Sequence, residues 1–137
     1  MCPQEFAGDL PVSFDDVVIA WDHTAPAARA VADALPMLQS AARVRIVTAT
    51  DDNTNAELVS GAALVSHLAE HGIGAAFETV KINGSSVGKV FEAYVRANTI
   101  DLLVMGAYTH SRLAEFILGG ATREVLAAAD LPVLMHH

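Results

Sequence analysis

The chain has 137 residues, 53% of them apolar and 18% charged, with 16 acidic against 8 basic side chains and a formal net charge of -8. That length gives one domain with one buried core, and the apolar excess over an average soluble domain points to a subunit interface as well. The acidic balance excludes broad electrostatic binding to nucleic acid or to an anionic membrane, so a bound anion must be met by local basic residues. A single cysteine, Cys2, excludes an intramolecular disulfide and reads as an exposed thiol on a loose terminus.

Residues 1–14 hold Pro3, Gly8 and Pro11 without periodicity, and carry Glu5 and Asp9 where a secretory leader would carry basic residues. They read as an N-terminal extension to a domain over 15–137. No run is long enough to span a bilayer, and the expected location is the cytoplasm.

Val17 to Trp21 is a continuous apolar run of the kind that forms a strand covered on both faces, and Asp22 and His23 leave it at its carboxyl end. Trp21 closes that run and reads as core. Thr24 is placed to cap a helix reaching about Gln39, with Pro26 in its first turn and Pro36 expected to kink its last. The second strand is expected over Val44 to Ala49. In the helix from Ala56 to His71, Leu58, Ala62, Val65 and Ala69 recur at helical spacing and predict the buried face, with Gly72 as the stop.

Ala75 to Ile82 has strand character but carries Glu78 and Lys81, which places it at the sheet margin. Ser85 or Ser86 caps a helix whose apolar stripe is Val87, Val90, Phe91, Tyr94 and Val95. Asp101 to Met105 reads as a buried strand, Ala121 to Ala129 as a helix, and Pro132 to Met135 as a short last strand. Strands alternating with helices throughout predict an α/β fold: an open five-stranded parallel sheet with helices on both faces, Rossmann-like, in the order 3-2-1-4-5. Ligands of such sheets bind beyond the carboxyl ends of the strands, here at Asp22 and Gly106.

The segment after the fourth strand carries most of the functional information. Gly106 leads through Ala107-Tyr108-Thr109-His110-Ser111-Arg112 to Gly119-Gly120-Ala121-Thr122-Arg123, a strand, glycine turn and helix start in which backbone N–H groups can meet an anion. It is not a Walker loop, because no lysine lies in it. Arg112 and Arg123 are the cations best placed to pair with phosphate, and His110 reads as a phosphate or ribose contact. A nucleophile-and-base pairing of Ser111 with His110 lacks a carboxylate to orient the histidine, so no catalytic residue is assigned.

These residues resemble the universal stress protein family over Asp15 to Met135. Nucleotide-binding members carry G-x2-G-x9-G-[S/T] in the last third, an aspartate at the end of the first strand and a closing Pro-Val-Leu strand. Gly106 and Gly119 match the first and third glycines, Thr109 stands at the second, and Gly120 stands at the Ser/Thr position with Thr122 nearby. Asp22 matches the aspartate, and His23-Thr24 replaces the usual Gly-Ser after it. The segment from His110 to Arg123 is similar to the second half of tandem members, which implies that a single copy needs a partner subunit.

The resemblance implies an adenine nucleotide, ATP or AMP, with magnesium as a companion. Asp22 would meet the adenine end, Thr48 or Ala49 would line the base pocket, and Gly106, Gly119, Gly120 and Ala121 would wrap ribose and phosphates. Three functions follow: a stress-response module that binds a nucleotide, a dimeric interaction module without one, and a slow ATP hydrolase or self-phosphorylating protein with Ser111 or Thr122 as acceptor. A homodimer through the C-terminal strand is expected in the first two. His67 and His71 have the i, i+4 spacing of a helical metal pair, but no third ligand is evident and they read as a solvated face; no metal ligand is assigned there or at His136 and His137.

Overall fold

Five apolar runs become strands in a computed structural model, which describes residues 14–52, 54–106 and 133–136. In chain order they are β1 (Asp16–Ala20), α1 (Ala25–Ser40), β2 (Arg43–Ala49), α2 (Asn55–Glu70), β3 (Ala75–Val80), α3 (Val87–Ala97), β4 (Leu102–Gly106) and β5 (Val133–His136). The sheet has the order β3-β2-β1-β4-β5 and every neighbouring pair is parallel, as the alternation of elements predicts. β1 is the hub: Ile19 pairs with Ile46 of β2 and with Val104 of β4. The connection from β3 to β4 jumps across β1 and β2, so the direction of winding changes at the carboxyl ends of β1 and β4.

Because side chains alternate along a strand, the sheet builds two cores. Val17, Ile19, Val44, Ile46, Leu102 and Val104 pack beneath α1 and α2, while Val18, Ala20, Val47, Leu103 and Met105 pack beneath Val87, Phe91 and Val95 of α3. Phe14, the last residue of the expected extension, lies against the first of these cores. α1 starts at Thr24, whose hydroxyl accepts from the Ala27 N–H at 3.3 Å, and continues four residues past Pro36. Its buried face is Pro26, Ala27, Ala30, Val31, Ala34 and Leu38, a helical repeat dominated by small residues that lets it lie close to the sheet.

α2 corrects the sequence reading. Its buried residues are Gly61, Leu64 and Leu68; Leu58 is 45% exposed, Ala62 and Ala69 are exposed, and Val65 is only half-buried. Residues 58–69 are apolar nearly all round, so periodicity does not fix which side faces inward. The sheet decides it. A Cβ on Gly61 would fall 2.4 Å from the ring of Phe77 on β3, so the glycine is where helix and strand meet.

β3 lies at the sheet margin with Ala76 and Glu78 exposed, and it ends at Val80, before Lys81 and Ile82. Ser86, rather than Ser85, caps α3 by accepting from the Lys89 N–H at 3.2 Å. Tyr94 is only half-buried at the edge of the expected stripe, because its hydroxyl is committed elsewhere. It accepts from Arg45 Nη1 at 3.0 Å and donates to Glu78 Oε1 at 2.5 Å.

Candidate functional site

The carboxyl ends of β1 and β2 open onto a cleft of about 530 Å³, closed on its other sides by Glu57 of α2, Ile82 beyond β3, and Val87 and Phe91 of α3. Three of the residues expected on sequence grounds meet there: Asp22, Thr48 and Ala49. Thr48 is buried, and its hydroxyl donates to the Trp21 carbonyl at 2.8 Å, so its side chain joins β2 to the end of β1. Trp21 is buried as its place in the run implies, with Nε1 donating to Ser60 Oγ at 3.1 Å.

Asp22 performs the local work that an aspartate at a strand end commonly performs. Its Oδ1 accepts from the backbone N–H of Thr24 at 3.2 Å and from the Thr24 hydroxyl at 2.5 Å, while the Thr24 oxygen caps α1. The carboxylate is thereby fixed at the mouth of the cleft.

His23 occupies a backbone conformation that its side chain disfavours. Its φ is 66°, in the left-handed region where glycine carries no penalty and other residues lose roughly 1–2 kcal/mol. The ring compensates through a contact glycine lacks: Nδ1 lies 2.8 Å from Ser60 Oγ, and the ring meets Trp21 edge-on with centroids 6.0 Å apart. Since Trp21 Nε1 can only donate, Ser60 accepts from it. His23 Nε2 is buried and has no partner among the described residues.

Gly106 ends β4 one position beyond Met105, which pairs with Ala20 of β1, and is not itself among the described residues lining the cleft. A Cβ there would fall 2.5 Å from the backbone nitrogen of Ala27 and 2.8 Å from the carbonyl carbon of Pro26, so its glycine is required by the passage of α1 over the strand end. Thr109, His110, Arg112, Gly119, Gly120, Ala121, Thr122 and Arg123 lie outside the described residues.

The cleft also includes residues that the sequence reading did not single out: His23, Thr50, Asp51, Asp52 and Glu57. Two were legible. Thr54 and Glu57 form a capping box, in which Thr54 Oγ1 accepts from the Glu57 N–H and Glu57 Oε1 accepts from the Thr54 N–H, both at 3.2 Å. The same Glu57 oxygen accepts from the Thr50 hydroxyl at 3.0 Å, which ties α2 to the end of β2. Asp51 Oδ1 accepts from the N–H groups of Ile82 and Asn83 at 2.8 and 3.1 Å, bracing the turn before α3 in which Asn83 and Gly84 both have positive φ.

Asp22, Asp51, Asp52 and Glu57 all line the cleft, and no lysine or arginine is among its described lining residues. Carboxylates suit ligand hydroxyl and amine donors and repel phosphate. Among the described residues no group of three or more His, Cys, Asp or Glu is placed to hold a metal ion.

Comparison with known proteins assigns the lineage. Solved structures of the same fold include a universal stress protein in complex with cAMP, with a TM-score of 0.64 and 19% identity over 92% of this chain and 99% of that one. Another is a universal stress protein from Archaeoglobus fulgidus, with a TM-score of 0.62 and 17% identity over 90% of this chain and 98% of that one. A universal stress protein of Synechocystis is 47% identical over 51 residues, which is 35% of this chain and spans only 18% of that protein's length. The sequence model described as the universal stress protein family matches residues 13–137. This chain is a member of the universal stress protein family.

Proposed function

We propose that this chain is a stress-response binding module that holds an adenine nucleotide, ATP or AMP, at the carboxyl ends of β1 and β4. The observation that carries the reading is the cleft itself, with Asp22, Thr48 and Ala49 brought together on its wall. A structure of the same fold is a complex with cAMP, which supports a nucleotide as the ligand class. Acidic lining makes the described part of the cleft the base and ribose end, where hydroxyl and amine donors meet carboxylates. Phosphates then lie toward the segment of Arg112, Gly119, Gly120 and Thr122, with Thr109 and His110 beside them. Magnesium, where it accompanies ATP, is held by phosphates and water, as is usual for that ion.

The module acts by ligand-linked association. A nucleotide that binds one state of the 106–123 segment better than another shifts partner affinity by that difference and no more. Residues 1–14 are proposed as an extension of the 15–137 domain, with Phe14 packed against its core, and the cytoplasm as its place of action. The test is the ultraviolet spectrum and mass analysis of the purified chain for copurified nucleotide, followed by calorimetric titration with ATP, AMP and cAMP, with and without magnesium. Absence of bound nucleotide and of heat at millimolar ligand defeats the reading.

One observation favours a second role that persists without ligand. β5 is an edge strand, so Val133–His136 presents one side of its backbone for a strand of another copy. A dimer whose dissociation is unaffected by nucleotide would support this interaction role over the ligand-linked one.

A further inference from the structure

His67 and His71 lack a third ligand within the chain, and on the sequence they read as a solvated face. Both are exposed on the structure, and their ring centroids stand 4.9 Å apart with the planes at 70°. Two imidazoles binding one zinc through nitrogens at about 2.0–2.1 Å, with angles of about 90–110° at the metal, place their centroids about 4.5–5.3 Å apart. The observed separation falls inside that window.

We propose that His67 and His71 form half of a transition-metal site, with zinc as the fitting ion, and that the same two histidines of a second copy complete it. Structural zinc takes four ligands in a tetrahedron, and a two-fold axis through the metal turns one histidine pair into four. A single chain does not supply the set among its described residues. The second copy does.

The surface around the pair fits that occupant. Val59, Ala63, His67 and His71 are all exposed and follow one another at intervals of four, forming a continuous ridge along α2. Val59 is 59% exposed. Residues 58–69 contain no Asp, Glu, Lys or Arg. For a chain of net charge -8, this stretch lets two copies meet with Glu70 as the one carboxylate of α2 beside the histidine pair, and the exposed Val59 and Ala63 are covered as they do. Nothing in this site depends on the nucleotide reading.

The test uses the purified chain, stripped of metal with EDTA and titrated with zinc chloride, with mass followed by light scattering and bound metal by elemental analysis. The mass is expected to double from its metal-free value, with one zinc bound per two chains, and EDTA is expected to reverse it. His67→Ala and His71→Ala each abolish the doubling while leaving the circular dichroism spectrum unchanged, since both side chains are exposed. No zinc uptake, uptake of one zinc per chain without a change in mass, or doubling that persists in the His67→Ala/His71→Ala variant would each overturn the proposal.

Discussion

Gly106 and Ala27 touch backbone to backbone: a methyl group on Gly106 would sit 2.5 Å from the Ala27 nitrogen. The contact joins the end of β4 to the first turn of α1, the two elements that flank the change of winding direction. Neither backbone can retreat without moving a buried element, because Met105 and Ala27 are both inside the core. Gly106→Ala is therefore expected to destabilise the fold by about 3 kcal/mol. Urea denaturation followed by circular dichroism measures it, and a midpoint equal to that of the parent chain would show that α1 gives way easily. Loss of ligand binding in this variant reports on packing, so it does not identify Gly106 as a ligand contact.

Gly61 and Phe77 provide the corresponding contact under α2, on the same face of the sheet, with an important difference. The obstacle is a half-buried aromatic side chain rather than backbone, so it can be removed by mutation. Gly61→Ala is expected to cost about 1–3 kcal/mol, and Phe77→Leu to recover part of that loss in the double variant. A double-mutant cycle with no coupling between the two positions would contradict the geometry.

The same pair shows how far sequence reasoning reaches. The parallel sheet was legible because the central strands are short apolar runs, buried on both faces, and the elements between them alternate regularly. The inward face of α2 was not. Where Leu58, Val59, Ala62, Ala63, Leu64, Val65, Leu68 and Ala69 surround the helix, hydrophobicity carries no phase, and a contact with Phe77 sixteen residues away in sequence from Gly61 chooses it. In the cleft, Asp22, Thr48 and Ala49 could be placed by the family pattern; His23 stands where that pattern has glycine, a mark of positive φ, but its contact with Ser60 of α2 is a tertiary one that the sequence does not show. Glu57 was accessible through its capping box with Thr54 and was overlooked.

His23 separates two opposing terms that substitutions can isolate. His23→Gly removes the left-handed penalty and also the Ser60 contact, terms of similar size, so its stability is expected within about 1 kcal/mol of the parent. His23→Ala loses the contact and keeps the penalty. It should be the less stable of the two by about 1 kcal/mol. Thermal unfolding of both variants checks the difference, and an alanine variant equal to the glycine variant would mean that the corner relaxes out of the left-handed conformation.

Tyr94 couples α3 to the sheet in a pH-dependent way. Burial of its hydroxyl, reinforced by the hydrogen bond it donates to Glu78 and opposed by the nearby Arg45 charge, pushes its pKa from 10.0 up to about 12. The folded state thus holds the phenol proton more tightly than the unfolded state. The resulting stabilisation is fully present below pH 10 and is lost as pH rises through about 12. Tyrosinate absorbance in a Tyr108→Phe background isolates this ring, since the chain has only two tyrosines. Glu78→Gln should move the transition part of the way back toward 10, because burial, the larger cause, remains. A transition unmoved by that substitution would place the whole effect in burial.

Asp22 offers the sharpest separation of fold from ligand. Its Oδ1 is an acceptor for Thr24, a role that an asparagine oxygen can take over, so Asp22→Asn preserves the turn and the start of α1. What it removes is the negative charge at the mouth of the cleft. A hydrogen bond from a ligand hydroxyl or amine to a charged group contributes about 1.5–3 kcal/mol, and each 1.4 kcal/mol is about tenfold in affinity. If the base and ribose end of an adenine nucleotide meets this carboxylate, Asp22→Asn weakens binding at least about tenfold. Asp22→Ala should instead lose both binding and roughly 1–2 kcal/mol of stability, since the Thr24 cap loses its support. Calorimetric titration and thermal unfolding on the same samples distinguish the cases: full affinity in Asp22→Asn would confine Asp22 to its turn and move the ligand's donors to Asp51, Asp52 or Glu57.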